Sequence, residues 1–179
     1  MPRGLLGLYK LEHIEEQVNP AVATRPIVVK IGGSTLGSGD TTLEDLVTLQ
    51  CQGIPIVVVH GGGNLINQWM ERSGTSPHFI RGLRVTDEAT LEVVVAVLAG
   101  LVNKQLVTKI QAIGGRVVGI SGVDGGLLQC RKKVPDLGFV GEVELVNPEL
   151  VRQVMRMDYI PVVAPVASGY QYDSSSEGI

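Results

Sequence analysis

Two short stretches put the smallest residues where a side chain would obstruct. "VVKIGGS" runs through Lys30 into Gly32 and Gly33, and "VVVHGGGN" runs through His60 into Gly61, Gly62 and Gly63. Glycines there add nothing to a core and cost backbone entropy on folding. What they offer is backbone N–H groups that face an anion unobstructed, helped by the dipole of a helix starting at the loop. Two such loops could hold two anionic groups. The Lys30 ammonium beside the first could neutralise charge moving between them. Glycines after a strand also serve as plain turns, and a Lys closing a strand is commonly solvated. Two loops together with a Lys in an otherwise apolar strand favour the chemical reading.

Competing motifs fail on spacing. A dinucleotide fingerprint needs glycines at its first, third and sixth places, and "GGSTLG" lacks the third. No GxxxxGK[ST] is present. "HGGG" is similar to the oxyanion loop of some lipases and esterases, but that chemistry needs a GxSxG elbow. Ser121 sits in "GISGV", where the last glycine is missing. His60 is read as a packed or hydrogen-bonded strand end with no catalytic role.

The loops need strands before them and helices after them. "PIVVKIGG" and "PIVVVHGGG" read as buried strands, and "TTLEDLVTLQCQG" and "NLINQWMERSG" as helices. Thr41 or Thr42 is the expected cap of the first helix and Gly53 its stop. Continuous β-branched runs without polar alternation predict a parallel sheet covered on both faces. Strand-helix-strand-helix order predicts an α/β fold. Further on, "SPHFIRGLRVT" reads as extended or hairpin structure. A single long helix follows over 87–113, with Thr86 as its expected N-cap and Gly114 and Gly115 as its stop. "RVVGISG" and "YIPVVAPV" are strands, "GLLQCRKK" and "FVGEVELV" a hairpin-like excursion, and "PELVRQVMRM" a helix with Pro148 in its first turn. In parallel α/β sheets ligands lie at the carboxyl ends of the strands, where both glycine loops fall.

"LEVVVAVLAGLV" within the long helix is apolar nearly all round, although covering one sheet face needs only one apolar stripe. The surplus predicts a homodimer interface along 87–113. Ala96, Ala99 and Gly100 would let a partner helix come close, and Val97 and Leu101 are expected on the shared face.

The chain has 179 residues, 44% hydrophobic and 18% charged, enough for one domain with a substantial core. Only 4% is aromatic, so that core is aliphatic. A net charge of −3 gives no electrostatic reason to expect nucleic acid or an anionic membrane as partner. Cys51 and Cys130 lie far apart, outside any CxxC pattern, so no metal site is expected and a reduced compartment fits. No signal peptide and no membrane-spanning apolar run are apparent. The expectation is a soluble cytoplasmic protein.

Six segments in order, "VVKIGGSTL", "VVVHGGGN", "GLRVTDEATLEVVVAVLAGLVNKQLV", "GISGVDGGLL", "LGFVGEVELVNPELV" and "YIPVVAPV", resemble the amino acid kinase family, and most specifically its branch that phosphorylates N-acetyl-L-glutamate. The resemblance covers roughly residues 26–179. It implies a three-layer αβα sandwich around a mostly parallel sheet. It also implies transfer of the γ-phosphoryl group of ATP, with Mg²⁺, to the side-chain carboxylate of N-acetyl-L-glutamate, a step of arginine biosynthesis. By resemblance Lys30 contacts the transferring phosphoryl group, and Gly32 and Gly33 give backbone donors to ATP phosphates. Gly62 and Gly63 hold the acetylglutamate, and Arg84 pairs with its α-carboxylate. The family continues with a substrate-binding Asn, a catalytic-site Asp, most of the ATP-binding half and a second phosphate-contacting Lys. Residues 25–179 therefore read as the acetylglutamate-binding portion without the ATP-binding half, inactive alone. Residues 1–24 read as an extension, in which 4–17 could form the interlacing helix that makes hexamers of dimers in arginine-inhibited members. The alternatives are a carrier-protein-linked aminoadipate kinase of lysine biosynthesis, or a non-catalytic dimeric module that binds acetylglutamate.

Overall fold

The computed structural model describes residues 25–32 and 41–169. The expectations for residues 1–24, for Gly33 and for the tail beyond Gly169 lie outside the described residues.

The chain begins with strand β1 (Ile27–Ile31), helix α1 (Thr42–Cys51), strand β2 (Ile56–His60) and helix α2 (Gly63–Arg72). A short antiparallel pair follows, β3 (Phe79–Ile80) with β4 (Leu83–Arg84). Next comes a helical rod of α3 (Glu88–Val95), a π-helical stretch (Ala96–Val102) and α4 (Asn103–Ala112). The remaining elements are β5 (Val117–Ser121), β6 (Leu128–Lys132), β7 (Gly141–Val146), α5 (Glu149–Arg156), β8 (Ile160–Ala164) and β9 (Ser168–Gly169). Four strands form a parallel sheet in the order β1-β2-β8-β5, and β7-β6-β9 form a second, smaller sheet. The α/β architecture and the hairpin of β6 with β7 follow the sequence reading.

Strand alternation explains the unbroken apolar runs, because each inner strand feeds two cores. Ile56 and Val58 of β2 pack with Leu46 of α1, Ile66 and Met70 of α2, and Val97, Leu98, Val102, Leu106 and Ile110 of the rod. Val57, on the opposite face, packs with Leu127, Val163 and Val151 of α5. Leu106 and Ile110 have no exposure, so truncating either to Ala costs about 2–5 kcal/mol. On α1, the Gln50 side chain donates to Arg116 O at 2.8 Å and Asp158 O at 2.9 Å, and Arg116 N–H donates back at 2.9 Å. This ties the helix to the segments leading into β5 and β8.

Several expectations are corrected. Coverage of both sheet faces fails at β1, where Val28 is 64% exposed, because the cluster that covers Val57 and Val163 on that face does not extend to this strand. Asp87, not Thr86, caps the rod: its Oδ1 accepts from Thr90 N–H at 2.8 Å. Thr86 is unavailable as a cap because it is buried and its backbone is engaged elsewhere, with its N–H donating to Leu137 O and its carbonyl accepting from Phe139 N–H. Val97, expected on a dimer face, is 1% exposed in the core. The outward side of the rod carries Val95, Ala96 and Gly100 instead. By length and composition the rod, Glu88–Ala112, is long and apolar enough to cross a membrane, which the run-by-run reading of the sequence did not register. Here its inward stripe is part of the main core.

Candidate functional site

The two glycine loops leave the sheet side by side. β1 and β2 run in register from Ile27 opposite Ile56 to Ile31 opposite His60, and Gly61 N–H donates to Ile31 O at 3.0 Å just beyond. Lys30 pairs with Val59 and is exposed, so it lies on the face opposite Ile31 and His60. Its ammonium has no partner among the described residues. Gly32 follows directly.

The three glycines of the second loop do different work. A Cβ on Gly62 would come within 2.8 Å of Leu98 Cδ2 and 3.1 Å of Val102 Cγ2, so Gly62 is where the rod presses on the loop. A Cβ on Gly61 or Gly63 would meet nothing within 4 Å. Gly62 caps α2 without a side-chain hydrogen bond, and the N–H groups of Gly62, Gly63, Asn64 and Leu65 donate to none of the described residues. Bare donors at a helix N-terminus carry partial positive charge.

Arg84 lies against this helix end. Its Nη2 donates to Asn67 Oδ1 and, at 3.5 Å, to Gly63 O, while Nη1 reaches Met70 Sδ at 3.1 Å. The guanidinium carbon stacks 4.8 Å from the centre of the Phe79 ring, its neighbour across the β3–β4 pair. Partial burial pulls the Arg84 pKa down from its ordinary value, yet an arginine stays charged. A planar cation thus lies along α2 beside the row of unpaired N–H groups that opens the helix, an arrangement suited to a carboxylate.

Two distant motifs meet beside Arg84. Thr86 and Gly138 form an isolated parallel bridge, with Thr86 N–H to Leu137 O at 3.0 Å and Phe139 N–H to Thr86 O at 2.7 Å. Gly138 has φ +66, and a Cβ there would overlap the Thr86 carbonyl oxygen. "GLRVTD" and "LGFVGEV" are thereby one unit in space.

Behind the loop lies a buried polar network. Asn103, with no exposed surface, heads α4. Its Nδ2 lies 2.9 Å from Val162 O, 3.1 Å from Ile120 O and 3.3 Å from His60 Nε2. Its Oδ1 accepts from Lys104 Nζ at 3.1 Å. His60 Nδ1 lies 3.0 Å from Gly61 O. Burial lowers the His60 pKa below its ordinary value, against a smaller opposing effect of the Gly61 bond. Ser121, the residue weighed for an elbow, donates from both its hydroxyl and its N–H to Asp124 Oδ2, closing the turn after β5.

With this geometry in place, comparison with known proteins is decisive at the family level. The amino acid kinase family pattern matches residues 25–175. The chain belongs to the amino acid kinase family. Among curated relatives it is 44% identical over 165 residues to the acetylglutamate kinase of Heliobacterium modesticaldum, covering 84% of this chain and 56% of that one. It is 47% identical over 156 residues to that of Archaeoglobus fulgidus, covering 79% and 54%, and 48% identical over 146 residues to that of Cereibacter sphaeroides, covering 80% and 50%. The chain spans about half the length of these relatives. Among solved structures, smu.665 from Streptococcus mutans UA159 superimposes with a TM-score of 0.76 at 30% identity, covering 83% of this chain and 61% of that one. An N-acetylglutamate synthase from Neisseria gonorrhoeae, at 24% identity and a TM-score of 0.66 over 84% of this chain and 36% of its own, shares the fold.

Of the residues picked from sequence in this amino acid kinase chain, Gly62, Gly63 and Arg84 come together at the start of α2. Lys30 and Gly32 lie at the end of the neighbouring strand, and Gly33 lies outside the described residues. Asn103 was missed. Its signal is an Asn, a poor helix former, directly after the apolar run of the rod. Its partners stand 17, 43 and 59 positions away, which no local pattern conveys.

Proposed function

We propose that this chain supplies the acetylglutamate-binding elements of an acetylglutamate kinase, which transfers the γ-phosphoryl group of ATP to the side-chain carboxylate of N-acetyl-L-glutamate. In the reaction a carboxylate oxygen forms a bond to the γ-phosphorus as the bond to the bridging oxygen breaks, giving an acyl phosphate and ADP. A glutamate side-chain carboxyl ordinarily titrates at about 4.3, so the acceptor is already ionised at neutral pH and no general base is required. The barrier is the approach of one anion to another, and the remedy is positioning with positive charge. In this reading Arg84 pairs with the α-carboxylate, and Gly62 and Gly63 offer N–H groups to the substrate. Lys30 contacts the transferring phosphoryl group, with Gly32 and Gly33 donating to ATP phosphates. In this scheme ATP enters as its Mg²⁺ complex, whose added positive charge would further ease the approach of the two anions.

The observation that carries the reading is the Arg84 guanidinium lying along α2 from Gly63 to Met70, beside the uncapped start of that helix. Calorimetry with N-acetyl-L-glutamate and with its α-methyl ester tests it. The ester, lacking the anionic α-carboxylate, is expected to bind far more weakly. Equal binding of acid and ester would overturn the Arg84 assignment. We further propose a homodimer along the outward side of the rod, where Val95 is 38% exposed beside Ala96 and Gly100.

A further inference from the structure

The geometry points to His60 as a positioning residue: its Nδ1–H donates to Gly61 O and so turns the Gly62 N–H toward the start of α2, while Asn103 holds the ring in that one tautomer. The orientation of the Asn103 amide is decided by its partners. Nδ2 faces the backbone carbonyl oxygens of Val162 and Ile120, and Oδ1 faces the Lys104 ammonium. Turning the amide over would set an oxygen against two oxygens and an NH₂ against an ammonium. A side chain on Gly119 would run into this amide and the Lys104 ammonium, so β5 leaves room for the network. His60 Nε2 therefore faces a donor and must be the unprotonated nitrogen. Nδ1 then carries the hydrogen, and Gly61 O, an acceptor only, receives it at 3.0 Å. In a planar trans peptide the C=O and the next N–H point in opposite directions. The Gly61 carbonyl turned to the ring thus turns the Gly62 N–H away from it, and that N–H, like those of Gly63 and Asn64, donates to none of the described residues.

The three acceptors share two Asn103 hydrogens, and the ring contact is the longest of the three. It sets the tautomer more than it adds stability. The consequence for ligand affinity rests on the acetylglutamate reading; the consequence for loop conformation does not.

Two variants separate the halves of the bridge. His60→Asn keeps a donor near the Nδ1 position and loses the acceptor. His60→Gln keeps an acceptor near the Nε2 position and loses the donor. In ¹⁵N NMR of the unmodified chain at neutral pH, His60 is expected as the Nδ1–H tautomer; the Nε2–H tautomer or a doubly protonated ring would overturn the inference. The Gly62 amide resonance is expected to move more in His60→Gln than in His60→Asn. Titrated with N-acetyl-L-glutamate, His60→Gln is expected to lose several-fold more affinity than His60→Asn. Equal effects of the two variants on the Gly62 resonance would reduce His60 to packing. If the unmodified chain does not bind N-acetyl-L-glutamate, the substrate reading falls, and the tautomer and the Gly62 resonance decide the positioning role alone.

Discussion

Three side chains near the second glycine loop carry separable predictions. Arg84 combines charge with a planar fork, and a lysine keeps only the charge. Arg84→Ala is expected to weaken N-acetyl-L-glutamate binding by roughly 2–3 kcal/mol, the worth of a charge-assisted hydrogen bond, with Arg84→Lys recovering only part; calorimetry reads both. Lys30 lies at the end of the neighbouring strand, exposed, and the proposed role concerns the moving phosphoryl group. In an enzyme carrying the whole family fold, Lys30→Ala should depress kcat more than it raises the KM for acetylglutamate. A normal kcat with only a raised KM for ATP would make Lys30 a ground-state contact. His60 adds a pH dependence. Its folded-state pKa lies below the unfolded value of 6.5. Above that value both states leave it neutral and its contribution to stability is fully present. As pH falls below 6.5 the unfolded chain takes up a proton that the folded chain refuses, and stability declines until pH passes the lowered folded value. The basic side chain bonded into the network is that of Lys104, which donates to Asn103 Oδ1. Thermal unfolding from pH 7.5 to 5.5 should show a steeper loss for the unmodified chain than for His60→Asn, since their difference isolates this one ring from the other titrating groups.

At the level of elements, the glycines of "HGGGN" divide between packing and access. Gly63 opens α2 and a Cβ there meets nothing, so Gly63→Ala should leave the unfolding temperature unchanged or higher while weakening acetylglutamate binding. Gly62→Ala should instead cost about 1–3 kcal/mol, because the Leu98 and Val102 side chains must give way. Chemical denaturation distinguishes the two. An equal stability loss in both variants would show that the loop is merely tight. Gly138→Ala combines a strained φ with overlap on the Thr86 carbonyl and is expected to be the most destabilising of the three. How much of this the sequence reveals varies by element. The inner strands are legible because short, β-branched apolar runs such as "IVVV" in β2 and "IPVVA" in β8, bounded by turn residues, have few other readings. The Gly62–Arg84 juxtaposition was reachable through family resemblance, not through spacing. The edge position of β1 is not legible, since an edge strand such as "IVVKI" reads like a central one. Nor is the π-helical stretch, because an apolar run such as "AVLAGLV" satisfies both helical repeats. Thr86 and Asp87 are both good caps by type; the choice between them falls to Gly138, 52 positions from Thr86 in sequence.

For the whole molecule, the parallel sheet presents two strand ends and their loops at one edge, as open α/β sheets do. The rod presses on one of these loops through Gly62 while its outward side stays exposed. Val95→Glu should therefore shift the chain toward monomer in sedimentation without loss of its fold. The core residue Val97, by contrast, should unfold when changed to Glu. A monomeric unmodified chain would remove the proposed interface. The central claim is that the first turn of α2 and Arg84 hold N-acetyl-L-glutamate. The most direct test is a ¹⁵N NMR titration of the 179-residue chain with N-acetyl-L-glutamate. Saturable shifts centred on Gly62, Gly63, Asn64 and the Arg84 side chain, abolished in Arg84→Ala, are predicted. No shifts at millimolar ligand, or saturable shifts that leave the Arg84 side chain unmoved, would contradict it.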